Sequence, residues 1–342
     1  MRPSPSSHDK ENVSPFIEMS WLYDHLEAPE VVTIDVRFAL NDPSYGWEAY
    51  RKGHIPGAFY MDLEKDLSAP PHADQGHGGR HPLPKVEDFV QRLGERRISP
   101  AHTVIVYDDH AGGFAARLWW MLKAIGHDNV FILNQGYSAW ERLGYPIEMG
   151  EVHLDRHLRN GGDHSRTHLD TEGEKAVGDD YGRRLALGQS FAYTHMPIAH
   201  VQMVREVALT KERLALIVDA REEKRYLGEV EPIDPVAGHI PGAINIFYQS
   251  LLSPDTKVLG DKDYLKKVLW TRLPVTFQDR STELPIICYC GSGVTSAALV
   301  AAFHALGYRH VYLYPGSYSD WVSYSEHPIA RALHISGSMP IE

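Results

Sequence analysis

Short apolar runs rich in β-branched residues recur along the chain at 31–36, 104–107, 130–133, 216–218, 286–289 and 311–313. Runs of this length and continuity predict strands buried on both faces of a parallel sheet. Between them, 114–124 and 296–306 read as helices. Each ends against a glycine, Gly126 or Gly307, as helix C-termini favour. Strand–helix alternation predicts an α/β fold with a parallel sheet flanked by helices.

The pattern occurs twice. "TIDVR" at 33–37 returns as "IVDAR" at 217–221, and "KGHIPGA" at 52–58 as "AGHIPGA" at 237–243. "VIVYDDHAGGFAARL" at 104–118 lies over "IICYCGSGVTSAAL" at 286–299, and "GHDNVFILNQGYSAW" at 126–140 over "GYRHVYLYPGSYSDW" at 307–321. Spacing is kept: Asp35 to His54 is 19 residues and Asp219 to His239 is 20, while His54 to Asp108 is 54 and His239 to Cys290 is 51. Two homologous domains in tandem are expected, at 16–148 and 199–334. The segment between them, 149–198, is polar, Gly-rich and His-rich and reads as an extended linker or surface belt. The ends, 1–15 and 335–342, read as tails, the first of them polar, proline-rich and disordered.

A length of 342 residues suits two domains, and 43% hydrophobic residues suffice for sizeable cores. The net charge of −11 and the absence of a basic cluster argue against nucleic-acid binding. No apolar run approaches a membrane span or a signal peptide. Two cysteines form no disulfide framework, and their i, i+2 spacing on a strand points them to opposite faces. A reducing compartment, the cytoplasm, is expected.

The repeat separates the two cysteines. Cys288 overlies Val106 and behaves as a small buried hydrophobe, whereas Cys290 overlies Asp108 at the end of a strand, where open α/β sheets place their ligands. "CGSGVT" follows, with two glycines that let successive backbone N–H groups converge on an anion. The dipole of the helix starting near Thr295 adds to this, so the Cys290 thiol should be acidified. His54 and His239 recur in both copies and read as structural. Trp119 and Trp120 read as core.

Tandem domains carrying "DxR", "GHIPGA" and a six-residue loop that opens with cysteine only in the second copy resemble the two-domain rhodanese family of sulfurtransferases. "YCGSGVT" and "RYLGEVEPIDPVAGHIPGAIN" at 225–245 resemble the bacterial-type thiosulfate/3-mercaptopyruvate members. The resemblance implies that Cys290 takes a sulfane sulfur and passes the persulfide to a thiol, such as thioredoxin or a small thiol, or to cyanide. The first domain would be catalytically silent, and no cofactor or metal would be required. The loop residues Gly291, Ser292, Gly293, Val294 and Thr295 carry no charge, which matches the 3-mercaptopyruvate type rather than the type preferring thiosulfate. Arg221 and Arg225 match donor-binding arginines. Ser292, His81 and Glu64 match a proton relay, with Glu64 at a position that is usually Asp.

Two other chemistries fit the sequence less well. A cysteine phosphatase needs an arginine six residues after the cysteine, where this chain has Ser296. A non-catalytic sulfur carrier would not need matched donor-binding arginines.

Overall fold

The computed structural model describes residues 14–71, 76–110, 112–152, 180–210, 212, 214–254, 259–281 and 283–331. Phe16–Ile17 (β1), Val31–Asp35 (β2), Phe59–Tyr60 (β3), Thr103–Tyr107 (β4) and Val130–Leu133 (β5) form one parallel sheet in the order β1-β5-β4-β2-β3. Leu216–Asp219 (β6), Ile244–Asn245 (β7), Ile286–Tyr289 (β8) and Val311–Leu313 (β9) form the second, in the order β7-β6-β8-β9. Without β1 the two orders superpose. The place of β1 is taken in the second sheet by one parallel bridge, Ile198 to Leu313.

Register fixes where the chemistry falls. Asp35 pairs with Tyr107 and Asp219 with Tyr289, so each "DxR" lies beside the last residue of the neighbouring strand. The loops that follow, from Asp108 and from Cys290, leave the C-terminal edges of their sheets.

The helices Ala115–Ala124 and Ser296–Ala305 follow those loops, and all but one residue of each is buried. A helix apolar all round must be covered all round. These two cover each other, with Trp119 meeting His304 edge-on at 5.9 Å. One apolar cluster therefore runs unbroken through both repeats, and it contains Trp119, Trp120 and Cys288. The two loops are neighbours as a result: a Cβ added to Gly113 would lie 2.8 Å from Tyr248 and 3.2 Å from Thr295.

The inter-repeat segment is not wholly a solvated linker. Residues 153–179 and the expected tails up to 13 and beyond 331 lie outside the described residues. Between Asp180 and His195 the chain docks on the first repeat. Asp180 caps the helix Tyr181–Ala186, Tyr181 is buried against His127 (2.8 Å from hydroxyl to Nδ1), and Gly182 passes close to Gly94. The Asp180 cap and the Tyr181 anchor are single residues, too sparse to show as periodicity.

Candidate active site

Cys290 follows β8 and is almost fully buried. Its N–H donates to Ser317 Oγ (3.1 Å) and its carbonyl accepts from the Tyr318 N–H (3.0 Å). The curl of the loop depends on Gly293, whose φ is +77°; a side chain there would also strike the Pro315 carbonyl. Burial alone would push the Cys290 thiol up. The Thr295 and Ser296 hydroxyls and the Ser292 and Ser296 N–H groups outweigh it and hold the thiol below its ordinary value. Among the described residues Ser296 Oγ is buried with no hydrogen-bond partner of ordinary geometry, and its hydroxyl is one of the groups that favour the thiolate. Val294 is buried in the shared core. Cys288 is pushed far up by burial and stays a thiol.

The first copy shows what such a loop holds. The Asp108 carboxylate accepts from the N–H groups of His110 (2.8 Å), Gly112 (2.9 Å), Phe114 (2.8 Å) and Ala115 (2.9 Å). A carboxyl side chain thus fills the first nest, although burial pushes it above the ordinary carboxylate value. In the second copy the same position carries sulfur.

Ser292 and His81 come together across the domain boundary, with Oγ and Nδ1 2.7 Å apart. Burial, then the nearby Arg117 and Arg80 charges, push the His81 imidazolium down to about 4, so the ring is neutral at pH 7. Both halves of this pair are tied to one buried cation. Arg117 donates to the carbonyls of Gly293 (3.0 Å), His81 (3.0 Å) and Leu67 (3.2 Å). Burial pulls Arg117 down to about 10, which leaves it charged. Glu64 does not join this group. It is exposed, its N–H caps onto Asp62 (2.9 Å), and no hydrogen bond links it to His81 among the described residues. The Asp62 carboxylate turns the backbone at 62–65, and that turn presents Glu64 outward.

Arg221 departs from its expected part. Its side chain is 1% exposed, forks onto Asp219 (2.7–3.1 Å), and donates to the Gly238 carbonyl (2.6 Å) and to Glu231 (3.2 Å). Its guanidinium stacks over Tyr318 at 3.8 Å. Arg37 of the first copy repeats this with Asp35, the Gly53 carbonyl (2.7 Å) and Tyr137 (3.9 Å). A residue that makes the same bonds in both copies, one of them without the cysteine, is placed there by the fold. Arg225 is different. It is held by Glu231 (2.7 Å) and Asp234 (3.1 Å), and its Nη atoms lie 3.6 and 3.7 Å from where a Cβ on Gly291 would be. Arg80, from the first domain, lies nearer still, with Nη2 at 2.8 Å.

The rhodanese-like domain family matches this chain twice, at residues 18–143 and 204–324. The chain belongs to the rhodanese family. A Pseudomonas aeruginosa relative named as a probable 3-mercaptopyruvate sulfurtransferase is 36% identical over 89% of this chain and 94% of its own. A Mycobacterium tuberculosis relative, SseB, named provisionally as a thiosulfate sulfurtransferase, is 37% identical over 90% and 93%. Among solved structures, the 3-mercaptopyruvate sulfurtransferase of Leishmania major superposes with a TM-score of 0.68 at 28% identity, covering 93% of this chain and 76% of that one. Relatives of equal similarity thus carry names for two donors, and the donor must be argued from the site.

Sequence reasoning missed Arg80, Arg117 and Ser296 in this rhodanese. Arg117 left a signal: it is the one charge in "FAARLWWML", where the second copy has Leu299. Arg80 left none, because its neighbours come from the other domain.

Proposed function

We propose that the protein is a sulfurtransferase that takes sulfur from 3-mercaptopyruvate. The Cys290 thiolate attacks the donor sulfur. The carbon–sulfur bond breaks with its electron pair on carbon, giving the enolate of pyruvate and a Cys290 persulfide. The donor's S–H proton must then reach C3 of pyruvate. Ser292 passes a proton to that carbon and recovers one, oriented by His81, whose neutral ring can accept or donate. The persulfide rests in the N–H nest until a second thiol, such as reduced thioredoxin or a small thiol in the cytoplasm, removes the outer sulfur.

The Ser292–His81 contact carries this reading over the thiosulfate one. Sulfite leaves thiosulfate as a stable anion and needs no proton on carbon, so a built proton path serves only a carbon leaving group. The test is kcat/KM for both donors with a common acceptor. The expected outcome is a clear preference for 3-mercaptopyruvate. A preference for thiosulfate would reverse the assignment.

A further inference from the structure

Arg117 lies on the helix Ala115–Ala124 with its side chain fully buried. Its guanidinium ends on backbone alone: Nη1 donates to the Gly293 carbonyl, and Nη2 to those of His81 and Leu67. Carbonyl dipoles satisfy N–H groups but leave the net charge in place, and a buried charge is costly until an anion meets it. Nε of the same group is buried with no partner among the described residues.

Three other arginines stand around the Cys290 loop, and each has its carboxylate. Arg221 pairs with Asp219 and Glu231, Arg225 with Glu231 and Asp234, and Arg80 with Asp234. Among the described residues Arg117 has none. The acidic groups close enough to act on its charge are Tyr193 and Cys290. Burial pushes the Tyr193 phenol well above its ordinary value, so it is neutral at pH 7. Two further titratable groups beside Cys290, Cys288 and Tyr248, are likewise pushed up by burial and uncharged. The anion left for Arg117 is the thiolate.

We infer that Arg117 is a positioning residue of the sulfur-transfer site: it is the buried countercharge of the Cys290 thiolate, and the same guanidinium clamps the His81 backbone to the Cys290 loop. Its two Nη atoms reach a partner in each domain, so the Ser292–His81 contact is braced by a bond on either side of the seam. The charge acts on the ring as well. After burial, Arg117 is the largest influence against an imidazolium at His81, ahead of Arg80. One cation therefore favours an ionised sulfur and a neutral imidazole together. That these two groups serve transfer from 3-mercaptopyruvate rests on the function proposed above; the pairing of Arg117 with the thiolate does not.

The test alkylates Cys290 of the full chain with iodoacetamide, a neutral reagent, across pH. Cys288 stays out of the measurement, since burial keeps it protonated. Arg117→Met removes the charge at similar length, and Arg117→Gln also keeps a donor for the carbonyls. In both, the rate at pH 7 should fall about tenfold as the thiolate midpoint rises. Arg117→Lys restores the charge without the fork, so its rate should stay within about threefold of that of the unaltered protein. Its kcat should still fall about tenfold or more, because His81 loses its tie to the loop. In the two neutral variants the acid limb of kcat should move up from about 4 but stop short of 6.5, because burial and Arg80 still oppose the imidazolium. A residue that only held the seam would lower kcat at every pH and move neither titration. Unchanged midpoints in the neutral variants overturn the inference.

A second measurement leaves position 117 alone. Thermal midpoints of the unaltered protein and of Cys290→Ser are compared from about pH 6 to 9. The folded chain lowers the Cys290 value, so the stability its thiolate adds is complete above the unfolded value of about 8.5 and is lost as pH falls through the folded one. The gap between the two proteins should therefore widen with rising pH, and a constant gap also overturns the inference. If the unaltered protein fails to turn over 3-mercaptopyruvate yet the alkylation midpoint still rises in Arg117→Met, the charge pairing stands and the donor assignment fails.

Discussion

Cys290→Ser is expected to abolish sulfur transfer from any donor. The substitution keeps the loop, the nest and the volume nearly intact, so the loss isolates the sulfur itself. A hydroxyl cannot form the persulfide, and its high pKa leaves it unionised where the thiol is held below its ordinary value. Cys288→Ala should retain most activity. Cys288 is fully buried two residues upstream, its thiol is pushed far up, and its Cα pairs with Leu313 in the middle of the sheet. Steady-state pyruvate release by the two variants decides this. Substantial turnover by Cys290→Ser, or loss confined to Cys288→Ala, would place the sulfur elsewhere.

His81→Ala should lower kcat with 3-mercaptopyruvate by about 10²–10⁴-fold, the usual worth of a positioned acid–base group. Turnover of thiosulfate, where sulfite leaves without protonation at carbon, should be largely spared. This split separates proton delivery from simple damage, which would harm both donors. The thiolate titration of Cys290, followed by alkylation against pH, should barely move, because the hydroxyls and N–H groups that do most to stabilise it lie within 292–296 and Arg117 is held by the His81 backbone, which the substitution keeps. In the unaltered protein the pH profile of kcat should show no step near 6.5, the ordinary histidine value. The acid limb should appear only near the depressed value of about 4, where His81 becomes charged and can no longer accept the Ser292 proton. An equal loss with both donors, or a sharp rise in the Cys290 value, would mean that His81 serves the nucleophile or the fold instead.

Much of the fold was written in local pattern. The central strands of both sheets are continuous apolar runs, and the duplication placed the second set once the first was read. The two-residue strands β1, β3 and β7 were not legible as strands, because two residues carry no periodicity. The Cys290 loop was legible because its cysteine, glycines and hydroxyls are contiguous. The structure ties Arg221 into the fold by bonds that the resemblance did not indicate, and the repeat already carried that signal: Arg37 occupies the same place in "TIDVR". The argument that made His54 and His239 structural applies equally to Arg221. Glu64 was assigned by position in a motif, and an Asx-type turn at Asp62 points it away. Arg80 and Arg117 act across the seam between the repeats. Their partners, Asp234 and Gly293, lie 154 and 176 residues away, beyond any spacing rule.

The central claim is that Cys290 itself accepts the sulfur of 3-mercaptopyruvate while a proton is delivered to the carbon left behind. The most direct measurement is a single turnover without acceptor: stoichiometric protein and donor, followed by intact mass, peptide mapping and pyruvate assay on the same sample. The account predicts one added sulfur atom per chain, located on Cys290, with one equivalent of pyruvate, and no addition to Cys288. Pyruvate released with no sulfur retained on Cys290, or sulfur retained without pyruvate, would contradict it.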